Sequence, residues 1–368
     1  MRSAASEMQC ALLALLLIVA SLPASAADWQ DGGGAKWAAL LAAARQEGRV
    51  VVMGRPDLAK PFADGFQRDT GITLEFLGGE GREQVSRLAR ELRAGAVTID
   101  LLFGGATTLA MAHQGELVDL QPQLLLPGVT DGGNWTDGHL KWVDSTQRYM
   151  VLGSEYIHGW PVFDGDLVKP GMITSWQDLL KPEFKGKIAA FDPRSGGPGQ
   201  AAASYLADRF GIDYIKRLYI GQEVTLAAHS RQIVEWVARG THLVALGALP
   251  TDIEQFRRNG VSNLVIGQMS DGPGALLGGS AVLCEPKGAP HPAAATVFLD
   301  WYLSKPGQQI FAHVWQVPSR RTDVQDPSIP PYVIPKPGVA YLDEYEENWY
   351  ENVRPKVAEA ITEALGGH

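Results

Sequence analysis

Cysteine is nearly missing from this sequence, with two in 368 residues. Cys10 precedes the first apolar run, which leaves Cys284 alone in the rest of the chain, so no internal disulfide braces the fold. Stability must come from a buried apolar core, and a chain of this length can bury a large one. No second long apolar run follows the first, which excludes a chain anchored by further membrane spans. A positive balance is also missing. The formal net charge is −9, so the molecule as a whole has no attraction for nucleic acid or anionic membranes. The eight histidines are scattered, with no His-Glu-x-x-His and no His-x-His pair, and no metal site is indicated. There is no Gly-x-Ser-x-Gly elbow. The glycines of GGPGQ lack the Lys-Ser/Thr that a phosphate-binding loop needs, and GGEGRE matches only half of a dinucleotide fingerprint. Cys284 is the one candidate nucleophile, but it sits in the apolar run AVLCEP and reads as a buried, inert thiol. These absences argue against an enzyme, and nothing in the sequence calls for a cofactor.

What is present begins with a targeting signal. Arg2, the apolar run over 11–22 and the small residues Ala24-Ser25-Ala26 predict a cleavable signal peptide over 1–26, with export to the periplasm. The position of Cys10, ahead of the apolar run, speaks against a lipid anchor. From Trp37 onward, helical and strand signals alternate. WAALLAAARQEG reads as a helix closed by Gly48. RVVVMG, ITLEFL and IDLLFGG read as buried strands, and amphipathic helices follow each of them. A second set begins after Pro161 and Pro170, with strands KIAAFDP, THLVALGA and LVIGQ among helices. GGSAVLCEP is a late strand, and a helical hairpin broken at Pro306 follows. The tail is loop-rich and ends in the helical pattern NVRPKVAEAITEAL. Apolar strands alternating with helices predict an α/β fold built on parallel sheets covered on both faces.

Three stretches, met in order along nearly the whole chain, resemble the bacterial extracellular solute-binding proteins whose relatives include ferric-iron binders. LLAAARQEGRVVVMG resembles their opening, SWQDLLKPEFKGKIAAFDP their entry into a second lobe, and FLDWYLSKPGQQIFAHVWQVPSRRTDV their late segment. The resemblance implies a two-lobed periplasmic-binding-protein-like fold of type 2, with two crossing strands as a hinge near 156–163 and 274–283. Lobe one would then combine 27–157 with 280–368, including the C-terminal helix, and lobe two would span 158–279. It further implies a small-molecule solute held in the cleft, closure by hinge motion, and an ABC permease of the inner membrane as partner. A sensory binding protein or a two-lobed transferase shares the same architecture and stays open at this point.

In an open α/β sheet, ligands sit beyond the carboxyl ends of the strands. That rule, independently of the resemblance, selects loops carrying Gly54, Arg55, Gly79, Glu80, Arg82, Gly105, Thr107, Arg194, Ser195, Gly196, Ser230, Arg231 and Gly247 as candidate ligand-binding residues. Glycines let backbone approach a ligand, free amide hydrogens at helix starts favour an anion, and guanidinium groups pair with carboxylate or phosphate oxygens. The expected solute is therefore a carboxylate, phosphate or phosphonate. Helix capping is the competing role for Thr107, Ser195 and Ser230, and core or hinge packing for Tyr156 and Trp160. Iron, free or chelated, is the rival ligand. The resemblance places the ferric binders' adjacent tyrosines at Pro250 and Thr251, which supply no anionic oxygen to a ferric ion.

Overall fold

A computed structural model of the chain describes residues 28–79, 81–195 and 197–366. The signal peptide expected over 1–26 lies outside them. The strands in chain order are β1 (Arg49–Gly54), β2 (Thr73–Gly78), β3 (Leu101–Gly104), β4 (Lys141–Trp142), β5 (Val151–Leu152), β6 (Tyr156–His158) and β7 (Val162–Asp164), then β8 (Ile188–Phe191), β9 (Thr225–Ala227), β10 (Val244–Leu246), β11 (Leu264–Ile266), β12 (Ala275–Leu277), β13 (Val282–Cys284) and β14 (Leu342–Asp343). They form a six-stranded sheet ordered β2-β1-β3-β13-β5-β4, a five-stranded sheet ordered β11-β7-β10-β8-β9, and a three-stranded ribbon ordered β14-β12-β6.

The apolar runs read from the sequence form the parallel centre of each large sheet. β1 pairs in parallel with β2 and β3, and β8 with β9 and β10. The expectation of purely parallel sheets gives way at their flanks, where β13 runs antiparallel to β3 and β5 and β7 antiparallel to β10 and β11. β13 and β7, which follow the two passages between the sheets, insert in the opposite direction, so each sheet is mixed.

Each large sheet carries its own core. In the first, Phe62, Phe103, Phe298, Trp301, Tyr302 and Phe311 are fully buried or nearly so, with ring centroids 5.5 Å apart for Phe62–Trp301 and 4.8 Å for Phe103–Tyr302 in edge-to-face arrangement. The late helices Pro292–Leu303 and Lys305–Trp315 thus pack back onto the first lobe. They are separated at Ser304, and Pro306 occupies the first turn of the second, where its missing N–H costs nothing.

The chain passes between the sheets twice, and these passages pair side by side: Leu277 opposes Tyr156, and Ala275 opposes His158. β14, from the tail, joins this ribbon in parallel with β12. Beyond it, Glu347 accepts from the Ser145 backbone N–H and meets His113 Nε2 at 2.8 Å, while His113 Nδ1 faces Glu351 at 3.5 Å. The final helix, Arg354–Ala364, then packs on helices Gly197–Phe210 and Ile212–Ile215, with Ile361 buried in the second lobe's core. The sequence grouped that helix with the first lobe, whereas Val357 and Ile361, with Leu365 just past its end, pack against the core of the second sheet. No helix among the described residues is long and apolar enough to cross a membrane.

Candidate functional site

A cleft of about 680 Å³ lies where the carboxyl ends of the first sheet, the paired crossing strands, the second lobe's helix starts and the tail converge. Arg55 follows β1 in extended conformation, ahead of the short turn Pro56–Leu58. Its guanidinium lies over the Trp315 ring at 5.3 Å, and its Nη2 reaches Asp57 at 3.4 Å. Trp315 Nε1 donates to the same carboxylate at 3.3 Å. Arg55 Nε is buried and has no hydrogen-bond partner among the described residues. An unmet buried donor of this kind costs about 1–3 kcal/mol, which a ligand acceptor would offset.

Gly105 and Thr107 line the cleft after β3. A side chain on Gly105 would meet Tyr345 Oη at 3.1 Å, so glycine is what lets the tail approach. Tyr156 closes the floor, and burial pushes its phenol up to about 12, with Arg55 drawing it down and Glu344 pushing it further up. Tyr345 donates to the Gly279 carbonyl at 2.5 Å, and burial raises its phenol strongly as well. From the second lobe come the first turns of helices Gly197–Phe210 and Pro250–Arg258, whose free amide ends favour an anion. The tail adds Glu344, Tyr350 and Arg354. Arg354 lies over the Tyr350 ring at 5.1 Å, and its Nη2 donates to Gln200 at 3.2 Å.

Of the thirteen sequence candidates, Arg55, Gly105 and Thr107 line this cleft. Glu80 and Gly196 lie outside the described residues, as does the side chain of Arg82. The others have local partners instead. Arg194 makes three hydrogen bonds to Asp192, from its backbone N–H (2.9 Å), Nε (3.0 Å) and Nη2 (2.8 Å); Ser195 donates to the Asp192 carbonyl at 2.8 Å. Arg231 lies over the Phe256 ring at 5.2 Å. The Gly54 carbonyl accepts from Gln84 Nε2 at 2.7 Å and from the Gly79 N–H at 3.1 Å, so this pair of glycines shapes the loop behind the cleft. Gly247, at φ +78°, packs against Gly199, where a side chain would approach its Cα to 3.0 Å. Ser230 accepts the Leu249 N–H at 2.8 Å and so positions, without lining, a loop that does line the cleft.

The sequence reading missed Asp57, Gln200 and Trp315 and the whole contribution of the tail. Its signal was there in LDEYEENWYE, where aromatics interleave with acids just ahead of the helical pattern NVRPKVAEAITEAL. Trp160, expected in core or hinge packing, packs against the second sheet's core and donates to the Tyr332 carbonyl at 3.3 Å. Pro250 and Thr251, where the resemblance puts the ferric binders' tyrosines, do line the cleft. Cys284 is fully buried on β13, and burial pushes its thiol up to about 12, which keeps it from acting as a thiolate nucleophile.

Comparison with known proteins places this architecture. The chain belongs to the family described as bacterial extracellular solute-binding protein, which it matches over residues 61–333; the tail residues of the cleft fall beyond that span. It is a two-lobed solute-binding protein of the kind that serves ABC importers. It is 25% identical over 292 residues, 78% of this chain and 80% of the other, to a Salmonella typhi protein named for periplasmic binding of 2-aminoethylphosphonate. It is 25% identical over 289 residues, 73% of this chain and 77% of the other, to the Fe(3+)-binding periplasmic protein of Serratia marcescens. Among solved structures it resembles the periplasmic binding protein AfuA of Actinobacillus pleuropneumoniae, solved with exogenous fructose-6-phosphate. That match has a TM-score of 0.64 and 18% identity, and it covers 87% of this chain and 99% of that one.

Proposed function

We propose that the protein is exported to the periplasm, where it captures a small oxyanion-bearing solute in the cleft and hands it to an inner-membrane ABC permease, without covalent chemistry. The observation that carries this reading is the pair of arginines, Arg55 from the first lobe and Arg354 from the tail helix docked on the second, lining one cleft. The unpartnered Nε of Arg55 and the helix starts at Gly197 and Pro250 favour the same charge. The names of relatives that bind an aminophosphonate and the AfuA complex with a sugar phosphate support an oxyanion. Direct iron capture has weaker support, because Pro250 and Thr251, where the resemblance puts the ferric binders' tyrosines, offer no phenolate.

Calorimetric titration with phosphonates, sugar phosphates, small carboxylates and ferric citrate tests this. At least one oxyanion should bind, and Arg55→Ala or Arg354→Ala should each weaken it about tenfold or more, on the order of 1.4 kcal/mol. Affinity unchanged in both variants, or binding of the ferric complex alone, would contradict the assignment.

A further inference from the structure

The positive groups of the cleft are matched by carboxylates. Asp57 and Glu344 line it beside Arg55 and Arg354. Asp57 is already engaged, accepting from Trp315 Nε1 at 3.3 Å and pairing with Arg55 at 3.4 Å. Glu344 differs. It has no exposed surface, its Oε1 takes His158 Nε2 at 3.1 Å, and its Oε2 has no partner among the described residues. Its position is set by the main chain. Asp343 is in register with Leu276 on β12, and the Glu344 N–H donates to the Leu276 carbonyl at 3.1 Å, which fixes the residue at the floor formed by the crossing strands. Tyr156 feels both Arg55 and Glu344, so the two opposite charges share one wall.

A solute that is only an anion satisfies the arginines and brings like charge toward Glu344. A solute with an oxyanion at one end and a protonated amine at the other satisfies both. We infer that Glu344 is the acceptor for a protonated amine, and that the natural ligand is a small zwitterion whose oxyanion meets Arg55. This rests on the oxyanion reading above and adds its second pole. Seclusion of the carboxylate from bulk water leaves its charge poorly screened, so a donor that enters the cleft is strongly discriminated from an isosteric methyl.

The test uses the full chain and two matched pairs of probes: 2-aminoethylphosphonate against ethylphosphonate, and β-alanine against propionate. In at least one pair the aminated member should bind about tenfold more tightly or better, about 1.4 kcal/mol, and Glu344→Gln should collapse that ratio toward one. The wild-type ratio decides even where the variant fails to fold, and a thermal melt of the variant reports whether it did. Equal affinities within each pair overturn the zwitterion and leave the oxyanion reading standing. A ratio that persists in folded Glu344→Gln overturns Glu344 as the acceptor. Binding of no member of either pair overturns the small zwitterion as ligand, and the oxyanion reading is then decided by the wider titration above.

Discussion

Asp300 has no exposed surface, and it stands on helix Pro292–Leu303 with its carboxylate accepting the backbone N–H groups of Leu125 (3.2 Å) and Leu126 (3.2 Å). Burial pushes the carboxyl up to about 7 against the pull of those two bonds. In the unfolded chain it titrates near its ordinary value of about 3.9, so the folded state holds the proton more tightly. The resulting stabilisation is complete below about pH 4 and is lost as pH rises through about 7. Glu285, pushed up to about 7 chiefly by burial, acts in the same window. Melting temperature should therefore fall between about pH 4 and pH 7, and Asp300→Asn, which keeps an acceptor for both N–H groups, should flatten that fall. An identical profile in the variant would take Asp300 out of the account. Local pairing of this kind also explains why arginines were the least legible part of the site. The choice of Arg55 over Arg194 turns on which carboxylate stands nearby and how fully it is used. Asp192 takes three hydrogen bonds from Arg194 and holds it within its own loop, whereas Asp57 leaves Arg55 Nε unmet.

The crossing ribbon is the element that joins fold to site. Gly279, just after β12, has φ +56°, and a side chain there would come within 3.2 Å of the Trp315 ring and 3.3 Å of Tyr156 Oη. Gly279→Ala should destabilise the protein by about 1 kcal/mol or more through the left-handed backbone alone, and should weaken ligand binding because both displaced rings line the cleft. A calorimetric titration with a bound solute, beside a thermal melt, separates the two effects; unchanged affinity would mean that the rings do not form the ligand's wall. Long apolar strands such as β1 and β8 were legible because their pattern exceeds a turn's length. β4, β5 and β14 are two residues each, too short to show any periodicity, and β14 is the one that brings Glu344 and Tyr345 to the floor.

At the scale of the whole molecule, alternating strands and helices and two proline-marked sets carried the α/β class and the two lobes. The tail escaped that reading because its role is tertiary. It runs from the ribbon through contacts with His113 and Ser145 to a helix seated on the second lobe, and its partners are remote in sequence. A net charge of −9 gives no hint of a cleft that gathers Arg55 and Arg354, since a local field is set by position and not by the total.

A crystal structure of the protein with its tightest-binding oxyanion bears most directly on this account. The oxyanion is expected in the interlobe cleft, with an oxygen about 3 Å from Arg55 Nε and the remainder of the solute between the helix starts at Gly197 and Pro250. Density for the solute outside that cleft, or inside it without contact to either Arg55 or Arg354, would contradict the account.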